Sequence, residues 1–230
     1  MASSELLLAI DNSIDFLSLA LAADGSLIEE RHGRAVRPSS EILSLKVAAL
    51  LHDHGLHLSD LSMVAVSLGP GSFTGIRVAL AYAKGVSTGL GLPLLGVPTL
   101  DLLAWPFTGT TSSYICPVID AKKGEVFFAQ YRHEGGALRS TGECQAVKPE
   151  ELAERLLRPC IVLGTGVSLC EPFLTELEGI TIVKDRHQRV TGESLIEIGW
   201  ERRHQVPPEA IRPIYGRKSE AEIKFRVTVT

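Results

Sequence analysis

The sequence predicts an α/β protein in which one β-β-β-α-β-α unit occurs twice in tandem, each copy a mixed sheet with helices on its faces. Three observations carry this reading: three strand-like apolar runs in succession near the start, a following alternation of helix and strand patterns, and the return of the same order after residue 113. Antiparallel hairpins beside parallel crossovers follow from such an order. The 230 residues are 45% hydrophobic and 22% charged, with a net charge of −4. Those are globular proportions, and a chain of this length buries roughly 70 to 75% of its extended surface.

In order, Leu6 to Asn12, Phe16 to Ala22 and Ser26 to Gly33 read as strands, then Ser39 to His54 as a helix that Gly55 ends. Met63 to Leu68 is a β-rich apolar run, Thr74 to Gly89 a helix studded with small residues, and Leu94 to Val97 a short strand. Leu95 to Thr110, with Pro98, Pro106 and the Thr108 to Ser113 run of turn residues, is where the two copies join. Strands at Tyr114 to Asp120, Glu125 to His133 and Ala137 to Ala146 follow, then a helix at Pro149 to Leu157. A strand at Ile161 to Leu163, a helix, a strand at Ile180 to Val183 and a helix at Gly192 to Arg203 complete the second copy. The domains are therefore placed at 1–105 and 106–230, and the tail after Ala221 reads as either disorder or an added strand.

The most informative stretch is MVAVSLGPGSFTGI, residues 63–76. Gly69 and Gly71 remove side chains where backbone must turn or approach something closely, and Pro70 fixes a dihedral between them. Ser72 or Thr74 can cap the next helix, whose free N–H groups and dipole suit an anion or a partner's loop. Known phosphate loops do not match. G-x-G-x-x-G would need glycine at Thr74, and G-x-x-x-x-G-K-[ST] has no second glycine at the required distance. A structural tight turn and a ligand-contacting loop both stay open. Arg77, one turn into the helix, reads as an anion contact or as half of a surface ion pair.

The helix from Ser39 carries two apolar lines. Leu43, Val47, Leu50 and Leu51 suit a core, while Ile42, Leu45 and Ala49 form a second line that packs under a loop or faces a partner. The next helix mixes small residues with one aromatic in Val78, Ala79, Ala81, Tyr82, Ala83 and Val86, a composition that permits close approach of another helix.

Chemistry is scarce elsewhere. With a net charge of −4 no global field draws nucleic acid, and Arg202, Arg203, Arg212, Arg217 and Lys218 read as solvated faces. Cys116, Cys144, Cys160 and Cys170 form no C-x-x-C pair and read as free thiols. His52 and His54, if helical, point about 200° apart and cannot share a cation. No metal site is expected. No G-x-S-x-G elbow occurs, no apolar stretch reaches 18 residues, and Asp11, Asn12 and Asp15 interrupt a leader-like start, so the cytoplasm is the expected compartment.

The string LGPGSFTGIRVALAYAKG, together with AIDNS upstream and DAKKGEVF and PIYGRKSEA downstream, resembles the TsaB (YeaZ) family over nearly the whole chain. The tandem plan in turn resembles the actin, Hsp70 and sugar-kinase superfamily, an actin-like/ribonuclease-H-like (ASKHA) fold. The resemblance implies a non-catalytic subunit required for N6-threonylcarbamoyladenosine (t6A) in tRNA, binding the transferase TsaD as a heterodimer, working with the ATPase TsaE, and forming a homodimer when alone. It implies tRNA contact only through the complex, no membrane, no firmly bound cofactor, and ATP or ADP at the TsaD interface. Ile42, Leu45, Ala49, Val78 and Tyr82 become partner-binding residues. Gly69, Gly71, Ser72, Thr74 and Arg77 become a nucleotide or partner loop. Asp11 and Asp120 occupy strand ends that serve phosphate in the superfamily, here without the following glycine, as degenerate positions with no catalytic residue. The H-x-x-x-H metal motif of TsaD is absent. Two rivals remain: that the chain is itself a nucleotide-dependent carbamoyltransferase or ATPase, or that it is a glycoprotease-like peptidase.

Overall fold

A computed structural model describes residues 4–34, 39–109, 113–184, 189–203 and 211–216; the predicted tail from 222 and the Arg217 and Lys218 pair lie outside them. The chain divides into two units, Met1–Pro106 with Arg189–Pro213, and Phe107–Gln188 with Ile214 onward.

The first unit contains β1 (Leu6–Asp11), β2 (Phe16–Ala23), β3 (Ser26–Arg34), α1 (Ser39–Asp53), β4 (Met63–Ser67), α2 (Phe73–Leu90), β5 (Leu94–Val97) and α3 (Thr99–Ala104). Its five strands lie in the order β3-β2-β1-β4-β5, antiparallel through β1 and parallel from β1 to β5. Because side chains alternate across a strand, Leu8, Ile10, Val64 and Val66 point to one face, where Leu43, Val47 and Leu50 of α1 and Ala79, Leu80 and Ala83 of α2 complete a core. Helix α1 stops where glycine allows it. Gly55 has φ +67°, and the bonds Gly55 N to His52 O and Leu56 N to Leu51 O form a Schellman cap. Arg31 of β3 bonds Asp53 Oδ2 at 2.8 Å, and His54 lies 2.6 Å from Glu29 Oε2, fastening the end of α1 to the edge strand. Hydrogen bonds from Arg31 and His54 hold Glu29 down at about 2.

The second unit contains β6 (Tyr114–Lys122), β7 (Glu125–Phe128), β8 (Tyr131–Glu134), β9 (Ala137–Ser140), β10 (Gln145–Val147), α4 (Pro149–Arg155), β11 (Cys160–Leu163), α5 (Val167–Leu174) and β12 (Ile180–Ile182). Its sheet runs β10-β7-β6-β11-β12, the order of the first sheet, with β8 and β9 added beside β6. Cys116, Val118, Val126, Phe128, Val162 and Val167 centre its core.

Three expectations are corrected. The strands placed at Glu125 to His133 and Ala137 to Ala146 are each two. The break falls at buried Gln130, whose side chain bonds Leu157 through both its atoms, Nε2 to Leu157 O at 3.1 Å and Oε1 from Leu157 N at 3.0 Å. A side chain thus replaces the sheet ladder, and the chain swings from β10 and β7 to the β8–β9 hairpin. The proline-rich join hides α3, which opens right after Pro98 and buries Leu100, Leu102, Leu103 and Ala104. Finally, α6 (Gly192–Glu201) belongs to the first unit, so a single division at 105/106 fails. It covers the face of Leu7, Ala9, Ala65 and Leu95: a Cβ on Gly199 would stand 3.3 Å from Ala65 Cβ, and one on Gly192 only 2.4 Å from Ala20 Cβ. The first sheet needs a helix on this side, and among the described residues the late segment supplies it.

Ile198 of α6 is fully buried. Ile198→Ala should therefore lower stability by about 2–5 kcal/mol, read as a lower urea midpoint with an unchanged slope.

Candidate functional site

The glycine-rich turn between β4 and α2 closes on the turn that follows β1. Ser72 N donates to Ser13 O at 2.6 Å, and Asn12 Nδ2 donates to Gly75 O at 3.3 Å. A Cβ at Gly71 would fall 1.9 Å from Ser13 O, and one at Gly75 2.0 Å from Asn12 O. Contacts that short exclude any side chain, so two glycines of the motif are required by packing inside the chain. Ser72 caps α2, its Oγ accepting from Gly75 N at 3.2 Å; Thr74 is exposed and does not cap.

What this corner offers outward is the first turn of α2. Ser72, Phe73, Thr74 and Arg77 are exposed, and the Arg77 guanidinium lies 3.8 Å over the Phe73 ring centroid, a cation–π contact that orients both. Gly69 is buried.

The two strand-end aspartates differ. Asp11 is 1% exposed, and its Oδ1 accepts from Ser13 N at 3.0 Å and Ser13 Oγ at 2.5 Å. It is turned inward, and burial raises its pKa despite the bonds from Ser13. Asp120 is folded back on its own hairpin, accepting from Lys122 N at 2.7 Å and Lys122 Nζ at 2.9 Å. Lys123 and Gly124, with φ of +56° and +77°, make the two-residue turn.

Two residues of the second line of α1, Leu45 and Ala49, are exposed. Leu43, Val47, Leu50 and Leu51 enter the core, whereas Leu45 is 70% exposed and Ala49 is open. Ile42, Val78 and Tyr82 are half-buried. Beside Tyr82 runs a groove of about 410 Å³ lined by Leu58, Gly85, Val86, Gly89 and Leu90. Sequence reasoning named Val86 and missed the other four. Their signal was the Gly85 and Gly89 pair, spaced four apart in a helical stretch, where a Cβ would meet nothing within 4 Å. Open glycines on a helix cost stability and leave its backbone approachable.

Among the described residues, no group of three or more His, Cys, Asp and Glu side chains could hold a metal ion, and no helix is long and apolar enough to cross a membrane. All four cysteines are free; burial pushes Cys144 up to about 11, Cys170 up to about 12 and Cys116 higher than an ordinary thiol. Thiols so raised are poor nucleophiles.

A family model described as "TsaD: tRNA N6-adenosine threonylcarbamoyltransferase" matches residues 33–159. The tRNA threonylcarbamoyladenosine biosynthesis protein TsaB of Escherichia coli is 34% identical over 167 residues, 70% of this chain and 71% of that one. The protein of the same name from Bacillus subtilis is 29% identical over 226 residues, 95% and 97% of the two chains. The solved structure of YeaZ from Pseudomonas aeruginosa superposes with a TM-score of 0.76 at 27% identity, covering 92% of this chain and 99% of that one. Component A of the Acidaminococcus fermentans (R)-2-hydroxyglutaryl-CoA dehydratase, at TM-score 0.51 and 8% identity over 87% and 99% of the chains, shares the fold alone.

Gly75→Ala should cost about 1–3 kcal/mol, the range for forcing atoms into a filled site, because Asn12 O is backbone. Thermal unfolding checks this, with Gly55→Ala as the control for a site that has room but positive φ.

Proposed function

The chain belongs to the TsaB family, and from that premise we propose that it serves t6A formation in tRNA as a non-catalytic subunit that docks on TsaD and acts with TsaE in the cytoplasm. The observation that carries this reading is exposed apolar surface on both helices: Leu45 of α1 is 70% exposed, and α2 lines the Leu58–Tyr82–Leu90 groove. Exposed apolar area of that kind marks association. Ile42, Leu45, Ala49, Val78 and Tyr82 form the docking surface, and a second copy of the chain uses the same surface when TsaD is absent. ATP or ADP, where it enters, meets the complex beside the first turn of α2, with Ser72, Thr74 and Arg77 facing it; Gly69 and Gly71 shape the turn.

Closure of the glycine corner on Asn12 and Ser13 supports the non-catalytic reading, since Gly71 and Gly75 are consumed by the chain itself. A second reading, that the chain is itself a nucleotide-dependent transferase, draws on the transferase family model that spans more than half of it. Measuring t6A formation by the chain alone, with TsaD, and with TsaD plus TsaE separates the two. Product should form only when TsaD is present; turnover by the lone chain at about 1 s⁻¹ or more overturns the proposal.

Leu45→Glu and Ala49→Glu should weaken both homodimer and TsaD complex in light scattering while leaving thermal unfolding of the monomer nearly unchanged. Gly85→Ala gives a sharper contrast: it should stabilise the isolated helix by about 0.5–1 kcal/mol yet loosen association, because the added methyl stands in the groove. Tighter association would refute docking there.

A further inference from the structure

A cavity of about 210 Å³ opens between the edge strand β3 and helix α1, sharing no residue with the groove beside Tyr82. Its floor is Leu17 and Leu19 of β2, and its walls are Arg31 and Gly33 of β3 and Lys46 and Ala49 of α1. The register explains the opening. Gly33 pairs with Leu17 and Arg31 with Leu19, and paired residues share a face, so both stand on the side where Leu17 and Leu19 join the core. His32 pairs with Ser18 and turns its ring to the other side. On α1, Lys46, Ala49 and Asp53 recur along one flank. Asp53 is tied to Arg31. From that tie, two residues along the strand cover about 6.6 Å and four along the helix about 6 Å, which brings Gly33 level with Ala49. The two smallest residues of the seam thus meet, and the gap follows.

Nothing inside the described chain asks for glycine here. Gly33 lacks the positive φ of the turn glycines, and a Cβ built on it would meet nothing within 4 Å. Glycine within a strand weakens it and often marks a place that a ligand approaches closely. The charged groups around the gap suit an anion. Arg31 donates from Nε to Glu29 Oε1 at 2.6 Å and from Nη2 to Glu29 Oε2 at 3.2 Å and Asp53 Oδ2 at 2.8 Å; among the described residues its Nη1 has no hydrogen bond. His54 is engaged by Glu29 at 2.6 Å. Glu29 and Asp53 therefore balance and orient Arg31, while Lys46 has no ion pair among the described residues and is the uncompensated charge at the gap.

We propose that this cavity binds a small aliphatic monocarboxylate, its carboxylate taken by Arg31 Nη1 and Lys46 Nζ and its carbon chain laid on Leu17 and Leu19 over Gly33. A guanidinium already fixed by carboxylates is preset for a planar anion. The space falls below the roughly 300 Å³ at which pockets for drug-sized ligands begin, so the chain is only a few carbons long. This site goes beyond the docking role and stands without it, although Ala49 borders both.

Valerate is the probe. Titrated into the 15N-labelled intact chain, it should shift the amide resonances of Gly33 and Ala49 saturably, while n-pentylamine, of the same length and opposite charge, should not. Lys46→Gln should weaken valerate about tenfold, the loss of one charge-assisted contact. Gly33→Val should abolish binding yet melt no lower than the wild type, because the new side chain fills the gap and suits a strand. Absence of saturable shifts at Gly33 and Ala49 overturns the proposal, as does equal binding of the amine or valerate binding that survives Gly33→Val. The comparison of valerate with the amine on the wild type decides the matter even if a variant folds poorly.

Discussion

The backbone contact between the β4–α2 turn and the residues after β1 is the constraint on which the first unit depends. Asn12 O and Ser13 O occupy space where Gly71 and Gly75 would otherwise carry side chains. Strand ends, turn and helix start are thereby set at van der Waals distance, and the 18-residue α2 leaves this corner with its direction fixed. The direction places Ala79 and Ala83 on the sheet and Gly85 and Gly89 towards solvent. One tight contact of backbone on backbone thus determines which side of α2 another protein can meet.

The second unit solves the same problem with other letters. Between β11 and α5 stand Gly164, Thr165 and Gly166. A Cβ at Gly164 would lie 2.4 Å from Val118 O, and Gly166 N donates to that same oxygen at 3.0 Å. Thr165 Oγ1 accepts from Asp120 N at 3.2 Å. In each unit, then, a glycine turn leading into a helix presses on the end of the unit's first strand. In neither does an aspartate at that strand end face outward unengaged: Asp11 is buried, and Asp120 is held by Lys122.

Much of this was legible in the residues. Periodicity located nearly every element of the first unit, and the division of α1 into a buried line of Leu43, Val47 and Leu50 and an outer line with Leu45 follows from spacing alone. The family blocks anticipated both the fold class and the relatives. What stayed hidden depends on distance in space. Whether Gly71 turns or approaches something is undecidable without the position of Ser13 O. The bend at Gln130 depends on Leu157, 27 residues away. Helix α3 was masked by prolines and turn residues beside a six-residue apolar segment too short to show a period.

The late position of α6 bears on how the molecule comes into being. The opening strands leave the ribosome first, yet one side of their sheet stays bare until the segment through Glu201 has been made. During that interval Leu7, Ala9, Ala65 and Leu95 are a sticky surface in a nascent polypeptide. The earliest-synthesised half is therefore the last to reach its finished state, and a chain arrested before residue 192 would be a client for chaperones, incapable of standing as a smaller working module.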